Sequence, residues 1–327
     1  MTIPVSVVVA TYRRNDLLRR CLAALAAQTL DPSAFEIIIV DDGADPGTKA
    51  LVEGSRGAGP ADTPAVRYLA VGGGPRGPAV ARNLGWRAAC GEIIAFTDDD
   101  CIPRPDWLAA GVAAFTPGVI GVSGRIEMPL AGTPTDYELN AARLTYSEFV
   151  TANCFYRRAA LVRAGGFDER FTIAWREDSD LFFTLMETGD SGFVDAPQAV
   201  VVHPIRKARW GVSLGQQRKN VFNALLYRKH RELYRARLGA HAPWNYYAIV
   251  AALLATLPAL LSGRKTAARA AAALWLALTL WLSARRLRGT SAAPAHIAEM
   301  VLTSALIPPL ALFWRMVGAI KYRVLFW

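Results

Sequence analysis

The chain has 327 residues, more than one average domain needs, so one large domain plus an appendage is expected. From Pro204 onward lie 19 of its 37 Lys/Arg but 2 of its 27 Asp/Glu; such a basic end suits an anionic surface, and its long apolar runs favour lipid over nucleic acid. Four cysteines (Cys21, Cys90, Cys101, Cys154), with no CxxC pair and no histidine nearby at ligand spacing, fit small apolar fillers in a reducing compartment.

The opening run "SVVVA" (6–10) is short and β-branched, as a buried strand should be. Basic residues follow that run instead of preceding it, which is not the pattern of a signal peptide, so the acidic part is expected to stay in the cytoplasm. After the loop "TYRRND", Leu17, Leu18, Cys21, Leu22 and Leu25 share one helical face, with Asn15 or Asp16 as the expected cap. "EIIIV" (36–40) is the next strand, and a Gly/Pro-rich stretch at 54–64 predicts a loop. "VRYLAV" (66–71) is a third strand and "GGGPRG" (72–77) a loop. Pro78 suits the first turn of a helix over "PAVARNLGWRAAC", and "EIIAF" (92–96) is the fourth strand. Strands alternating with helices indicate βαβ units and a mostly parallel sheet.

Directly after the fourth strand stands "TDDDC". Three adjacent carboxylates raise one another's pKa, so the cluster reads as a solvated turn, a helix cap or a cation site. In open α/β sheets, ligands bind beyond the carboxyl ends of the strands. Thr11, Asp41-Asp42 and Asp98-Asp99-Asp100 each follow a predicted strand, which places three polar groups along one edge. Further strands are expected at 119–128, in "TANCFYRR" and at "AVVVH" (199–203). The span 135–150 is ambiguous, and "REDSDLFFTLMETG" (176–189) is an amphipathic helix.

Residues 206–242 read as a basic amphipathic helix lying at a membrane surface. Residues 243–327 hold three apolar runs near the ~20 residues a spanning helix needs. The third is interrupted by Pro308-Pro309, and the second is short and alanine-rich. Basic residues flank every connector, so charge bias assigns no topology; two or three spanning or re-entrant segments fit.

Taken in order, "SVVVATYRRND", "EIIIVDDGADPGT", "GPRGPAVARNLGWRAACGEIIAFTDDDC", "RRAALVRAGGFDERF" and "REDSDLFF" resemble the family 2 glycosyltransferases, inverting enzymes of the GT-A fold. The resemblance covers about residues 3–205. It implies a Rossmann-like α/β nucleotide-diphospho-sugar transferase domain over 1–205, ahead of the helical membrane-associated part.

The resemblance also implies roles. Asp98 and Asp100 fit the family's DxD pair, which with His203 would hold Mg²⁺ or Mn²⁺ against the donor diphosphate. Ala10, Thr11, Tyr12, Arg13, Asp41, Asp42, Gly77, Arg82, Asn83, Asp98 and Asp99 match donor-nucleotide positions. Asp178 matches the catalytic base, with Glu177 beside it and Arg176 and Asp180 orienting it. Processive relatives carry a Gln-containing motif ending in Arg-Trp. "QQRKN" (216–220) lacks the Trp, which favours single-sugar transfer.

The expected function is a transferase at the cytoplasmic face of the inner membrane. It would move one sugar from a nucleoside-diphosphate sugar to a lipid-linked or saccharide acceptor. A metal-dependent nucleotidyltransferase is the alternative within enzymes, disfavoured by the lack of a GxxxxGK[ST] loop. A non-catalytic membrane adaptor is the alternative outside them.

Overall fold

The computed structural model describes residues 4–55, 63–189, 192–239 and 242–326. It contains two compact units. One comprises residues 1–129 and 143–205; the other comprises residues 130–142 and 206–327.

The first unit is built on an eight-stranded sheet of order β3-β2-β1-β4-β7-β6-β8-β5. Its parallel centre is β1 (Val5–Thr11), β2 (Phe35–Asp41), β3 (Ala65–Ala70) and β4 (Ile93–Asp98). Register sets Thr11 beside Asp41 and Ala10 beside Asp98, so the polar residues that end these strands lie on one sheet edge. The continuous Val/Ile runs of β1 and β2 fit strands buried on both faces. On one face α1 (Asn15–Ala26) lays Leu18, Cys21, Leu22 and Leu25 against Val5, Val7 and Val9. Each leucine so buried contributes about 2 kcal/mol.

Two helices follow β2 and β3. The first is α2 (Pro46–Gly54), capped by Asp45, which accepts from the Thr48 amide. The second is α3 (Pro78–Ala88), on the opposite face of the sheet. There Gly85 is required: a Cβ would come within 2.4 Å of Val8 Cγ1. The strand pair β5 (Ile102–Pro103) and β8 (Phe193–Val202) is antiparallel, and α4 (Trp107–Ala113) follows β5. β6 (Gly121–Glu127) runs parallel to β8, and β7 (Cys154–Arg157) runs antiparallel to both β4 and β6. Between β6 and β7, in the ambiguous span, lies α5 (Asp136–Ala142), which belongs to the second unit. α6 (Arg158–Ala164) ends in a Gly165-Gly166 turn, and α7 (Glu177–Glu187) carries the candidate base.

Several expectations are corrected. Neither Asn15 nor Asp16 caps α1: its N-cap position is Arg14 with no side-chain cap, and the Asn15 side chain bonds Asp45 and Thr48 instead. The helices α2 and α4 were not expected from the sequence. The loop predicted at 54–64 lies mostly outside the described residues. The domain expected over 1–205 loses residues 130–142 to the second unit.

In the second unit the basic segment is not one interfacial helix. It forms α8 (Val212–Gln216), α9 (Asn220–Lys229) and α10 (Arg231–Arg237). Residues 221–227 of α9 are buried all round, which is the character of a core helix and not of a surface one. Gly318 permits the close approach: a Cβ there would meet the Val221 carbonyl at 2.7 Å.

Three helices, α11 (Trp244–Leu261), α12 (Lys265–Leu287) and α13 (Pro294–Lys321), are long and apolar enough to cross a membrane, with mean hydropathy of 1.5, 1.4 and 1.6. The second is therefore not short. Pro308-Pro309 do not interrupt the third, which runs through both; an apolar helix tolerates the lost amide donors when its neighbours compensate.

Candidate active site

The carboxylate triplet divides three ways. Asp98 Oδ1 accepts from Arg82 Nη2 at 2.8 Å, and Arg82 Nη1 donates to Glu177 Oε1 at 2.8 Å. Asp99 Oδ2 accepts from Thr11 Oγ1 at 2.8 Å, and its Oδ1 from Arg14 Nη1 at 3.0 Å. Asp100 Oδ1 lies 3.5 Å from His203 Nε2. Burial opposes ionisation of Asp98, but Arg82 and then His203 outweigh it, so its carboxyl sits below the usual range. Asp99 goes the other way, raised chiefly by burial.

Arg82 joins the two sides of the site. It is 4% exposed, stands on α3, and bridges the end of β4 to the start of α7. A buried guanidinium holds its charge here because it has two carboxylates at hydrogen-bond distance. Glu177 is 2% exposed, and its Oε2 is buried with no hydrogen-bond partner. Burial, then the charge of Asp178, pushes its pKa up to about 7 against the pull of Arg82. Asp178 is half-buried in the first turn of α7. Its Oδ1 accepts from the Ser179 amide at 2.7 Å, and its pKa is raised, mainly by burial. The residue before this turn, Arg176, holds a left-handed φ of +76°, a strained backbone of the kind that clusters at functional sites.

Asp100, Cys101 and His203 each offer a ligand atom within 4.8 Å of the others. Two of the three suit a hard divalent cation, an oxygen and an imidazole. The Cys101 thiol does not: burial and the neighbouring carboxylates push its pKa well up and keep it protonated. His203 Nδ1 is buried without a hydrogen-bond partner, so the ring is not committed to protein groups on both sides. Asp98, expected as a ligand, is not a member of this group; its Oδ1 is engaged by Arg82.

Other expected donor residues turn inward. Thr11 and Asp99 are 3% and 1% exposed and use their polar atoms on each other and on Arg14. Asp41, fully buried, accepts from the Gly43 and Asp45 amides and from Tyr68 Oη, so it builds the turn after β2. Asp42 accepts from the amides of Arg76 and Gly77, holding the "GGGPRG" loop by the two amides that could have cradled a phosphate. Gly77 is needed there, with φ +100° and Thr172 O only 2.4 Å from where a Cβ would stand. Asn83 fastens the 165–171 loop: its Nδ2 donates to Phe167 O, and its Oδ1 accepts from Phe167 N and Trp86 Nε1.

Ala10 is half-buried at the same strand end, while Tyr12 and Arg13 are exposed. Sequence reasoning missed Arg14. A φ of +52° at Arg13 turns that side chain outward and its neighbour in, and nothing in "TYRRN" distinguishes the two arginines.

Residues 6–167 match the family described as Glycosyl transferase family 2. Those residues form a family 2 glycosyltransferase domain. The chain is 28% identical over 222 residues to Glycosyltransferase AglE of Haloferax volcanii, covering 63% of this chain and 68% of the relative. It is equally 28% identical to the succinoglycan biosynthesis protein ExoM of Rhizobium meliloti, over 64% and 69% of the two chains. In fold it resembles the mannosyltransferase PcManGT of Pyrobaculum calidifontis, solved with GDP-Man and Mn²⁺. The TM-score is 0.55 at 22% identity, over 98% of this chain and 86% of the other. The protein is a glycosyltransferase with a GT-A-like domain, followed by helices apolar enough to span a membrane. The family 2 match ends at Phe167, so Glu177, Asp178 and His203 lie beyond it, and the case for them rests on geometry.

Proposed function

We propose that this protein transfers a single sugar, with inversion, from a nucleoside-diphosphate sugar to a lipid-linked or saccharide acceptor at the cytoplasmic face of a membrane. The observation that carries the reading is Asp178, a half-buried carboxylate with a raised pKa at a strained helix start. Its charge feels Arg176, Arg82 and Asp98. An ionised Asp178 takes the proton of the acceptor hydroxyl as that oxygen forms its bond to the anomeric carbon. The bond from that carbon to the diphosphate breaks, and its electron pair leaves on the phosphate oxygen. Attack from the face opposite the leaving group inverts the centre.

Asp100 and His203 would hold Mg²⁺ or Mn²⁺, which when bound supplies charge neutralisation to the departing diphosphate. Arg82 keeps Asp98 ionised and fixed at the end of β4. The donor class is supported by fold neighbours solved with GDP-Man and with UDP-GlcNAc. The membrane assignment is supported by α11 to α13 and by the exposed Arg206, Lys207 and Arg209 just after the α/β unit.

Replacing Asp178 with Asn tests the reading. Transfer should fall 10²–10⁴-fold, the usual contribution of a positioned base, while binding of the donor, identified from a panel of sugar nucleotides by thermal shift with Mn²⁺, is unchanged. Transfer within threefold of wild type would reject Asp178 as the base.

A further inference from the structure

Residues 130–142 leave the α/β unit after β6 and return before β7, yet they pack as part of the helical unit. Their start is locally specified. Thr135 and Glu138 form a capping box: the Thr135 amide donates to Glu138 Oε2 at 2.7 Å, and the Glu138 amide to Thr135 Oγ1 at 3.3 Å. The first residue of α5, Asp136, then accepts from Arg286 Nη2 at 2.8 Å; both side chains are 12% exposed. Arg286 Nη1 also donates to Thr303 Oγ1 at 2.7 Å and Ser304 Oγ at 3.1 Å, two fully buried hydroxyls on α13. Beside this node the Ser291 amide donates to Pro134 O at 2.9 Å.

Four polar side chains are thus gathered among helices of membrane-spanning length. Arg286 stands in the last turn of α12, and with its side chain only 12% exposed the charge needs a partner. Apolar residues would pack α12 on α13 at least as well. A charge pair adds selection of one partner and one register. The partner selected here comes from a segment 150 positions earlier, inserted within the transferase fold.

We propose that Asp136 and Arg286 are positioning residues: they clamp the β6–β7 excursion to the helices of membrane-spanning length, so that the chain is anchored in the helical unit at this excursion as well as after the 205–206 junction. The consequence for catalysis rests on the membrane-borne acceptor proposed above. Fastening the excursion to α12 and α13 then matters for transfer to an acceptor in the bilayer and leaves attack by water on the donor untouched.

The test uses the full chain in lipid nanodiscs. In Arg286→Gln and in Asp136→Asn, hydrogen exchange across 136–142 should accelerate roughly ten- to hundredfold, as expected for loss of a charge-assisted bond, with β4 amides unchanged. Donor hydrolysis should stay at the wild-type rate while transfer to a lipid-borne acceptor falls. The double variant Asp136→Arg/Arg286→Asp should recover both exchange protection and transfer. Unchanged exchange at 136–142 would overturn the clamp. A parallel loss of hydrolysis and β4 protection would reduce the pair to general stability and overturn the positioning role. The exchange arm needs no acceptor, so an error in the acceptor class would leave it standing.

Discussion

Glu177 is adjacent to the proposed base and was expected in the sequence to share its role, but its surroundings assign it a different one. Its Oε1 is spent on Arg82 and its Oε2 is buried without a partner, so it faces protein on both sides. Replacement by Gln keeps an acceptor for Arg82 and removes the charge. Folding raises the Glu177 pKa from an ordinary 4.5 to about 7, so the folded state binds that proton more tightly than the unfolded chain does. The resulting stabilisation is complete below about pH 4.5 and is lost as pH rises through about 7. The ceiling on that loss is about 3 kcal/mol, from 1.36 kcal/mol per pKa unit.

Glu177→Gln has no such titration. Thermal unfolding of the two proteins should therefore show the variant gaining on the wild type between pH 5 and pH 8, by several degrees at about 2–4 °C per kcal/mol. Transfer by the variant should fall less than tenfold, against 10²–10⁴-fold for Asp178→Asn. A Glu177→Gln protein as inactive as Asp178→Asn, or a melting difference independent of pH, would refute the argument.

The proposed base has a pH signature. With the Asp178 pKa raised above 3.8 by burial, transfer should decline on the acid side at a midpoint higher than a free aspartate gives, as the carboxylate is protonated; Asp178→Asn should remove that limb from the residual rate. Asp100→Asn and His203→Ala should each weaken Mn²⁺ binding measured by electron paramagnetic resonance, and Cys101→Ser should leave it unchanged, because the protonated thiol is not a ligand. Thr11→Val should lower the melting temperature by the equivalent of about 1–3 kcal/mol, since it strips a buried partner from Asp99, with donor affinity retained.

Strand content was legible because the runs at 6–10, 36–40 and 92–96 are β-branched and buried on both faces, a pattern few other structures produce. The helix α2 escaped notice because "PGTKALVEG" is short and opens on Pro-Gly; its Asp45 cap is a signal visible only once the strand before it is placed. The burial of α9 was hidden for a different reason. Its basic flanks suggest a surface, and only the packing against Gly318 and its neighbours shows that residues 221–227 have no solvent face. Similarly, Pro308-Pro309 reads as a break until α13 is seen to continue through them.

Within the site, sequence located the polar residues but not their directions. A strand-end side chain reads the same whether it faces a ligand or the protein, and hydrogen-bond partners far along the chain decide between the two. Thr11, Asp41, Asp99 and Asn83 all turned inward for that reason. The triplet itself shows how the decision is made. Three adjacent carboxylates repel, and the fold relieves the repulsion by sending each to a different group. Asp98 and Asp99 meet arginines at 2.8 and 3.0 Å, whereas Asp100 meets an imidazole at 3.5 Å, whose charge depends on protonation. An arginine already matched to a carboxylate leaves little electrostatic reason for a divalent ion to bind there. Asp100 and His203 instead belong to the group whose ligand atoms converge, so Mn²⁺ binding should depend on those two residues and not on the triplet as a whole.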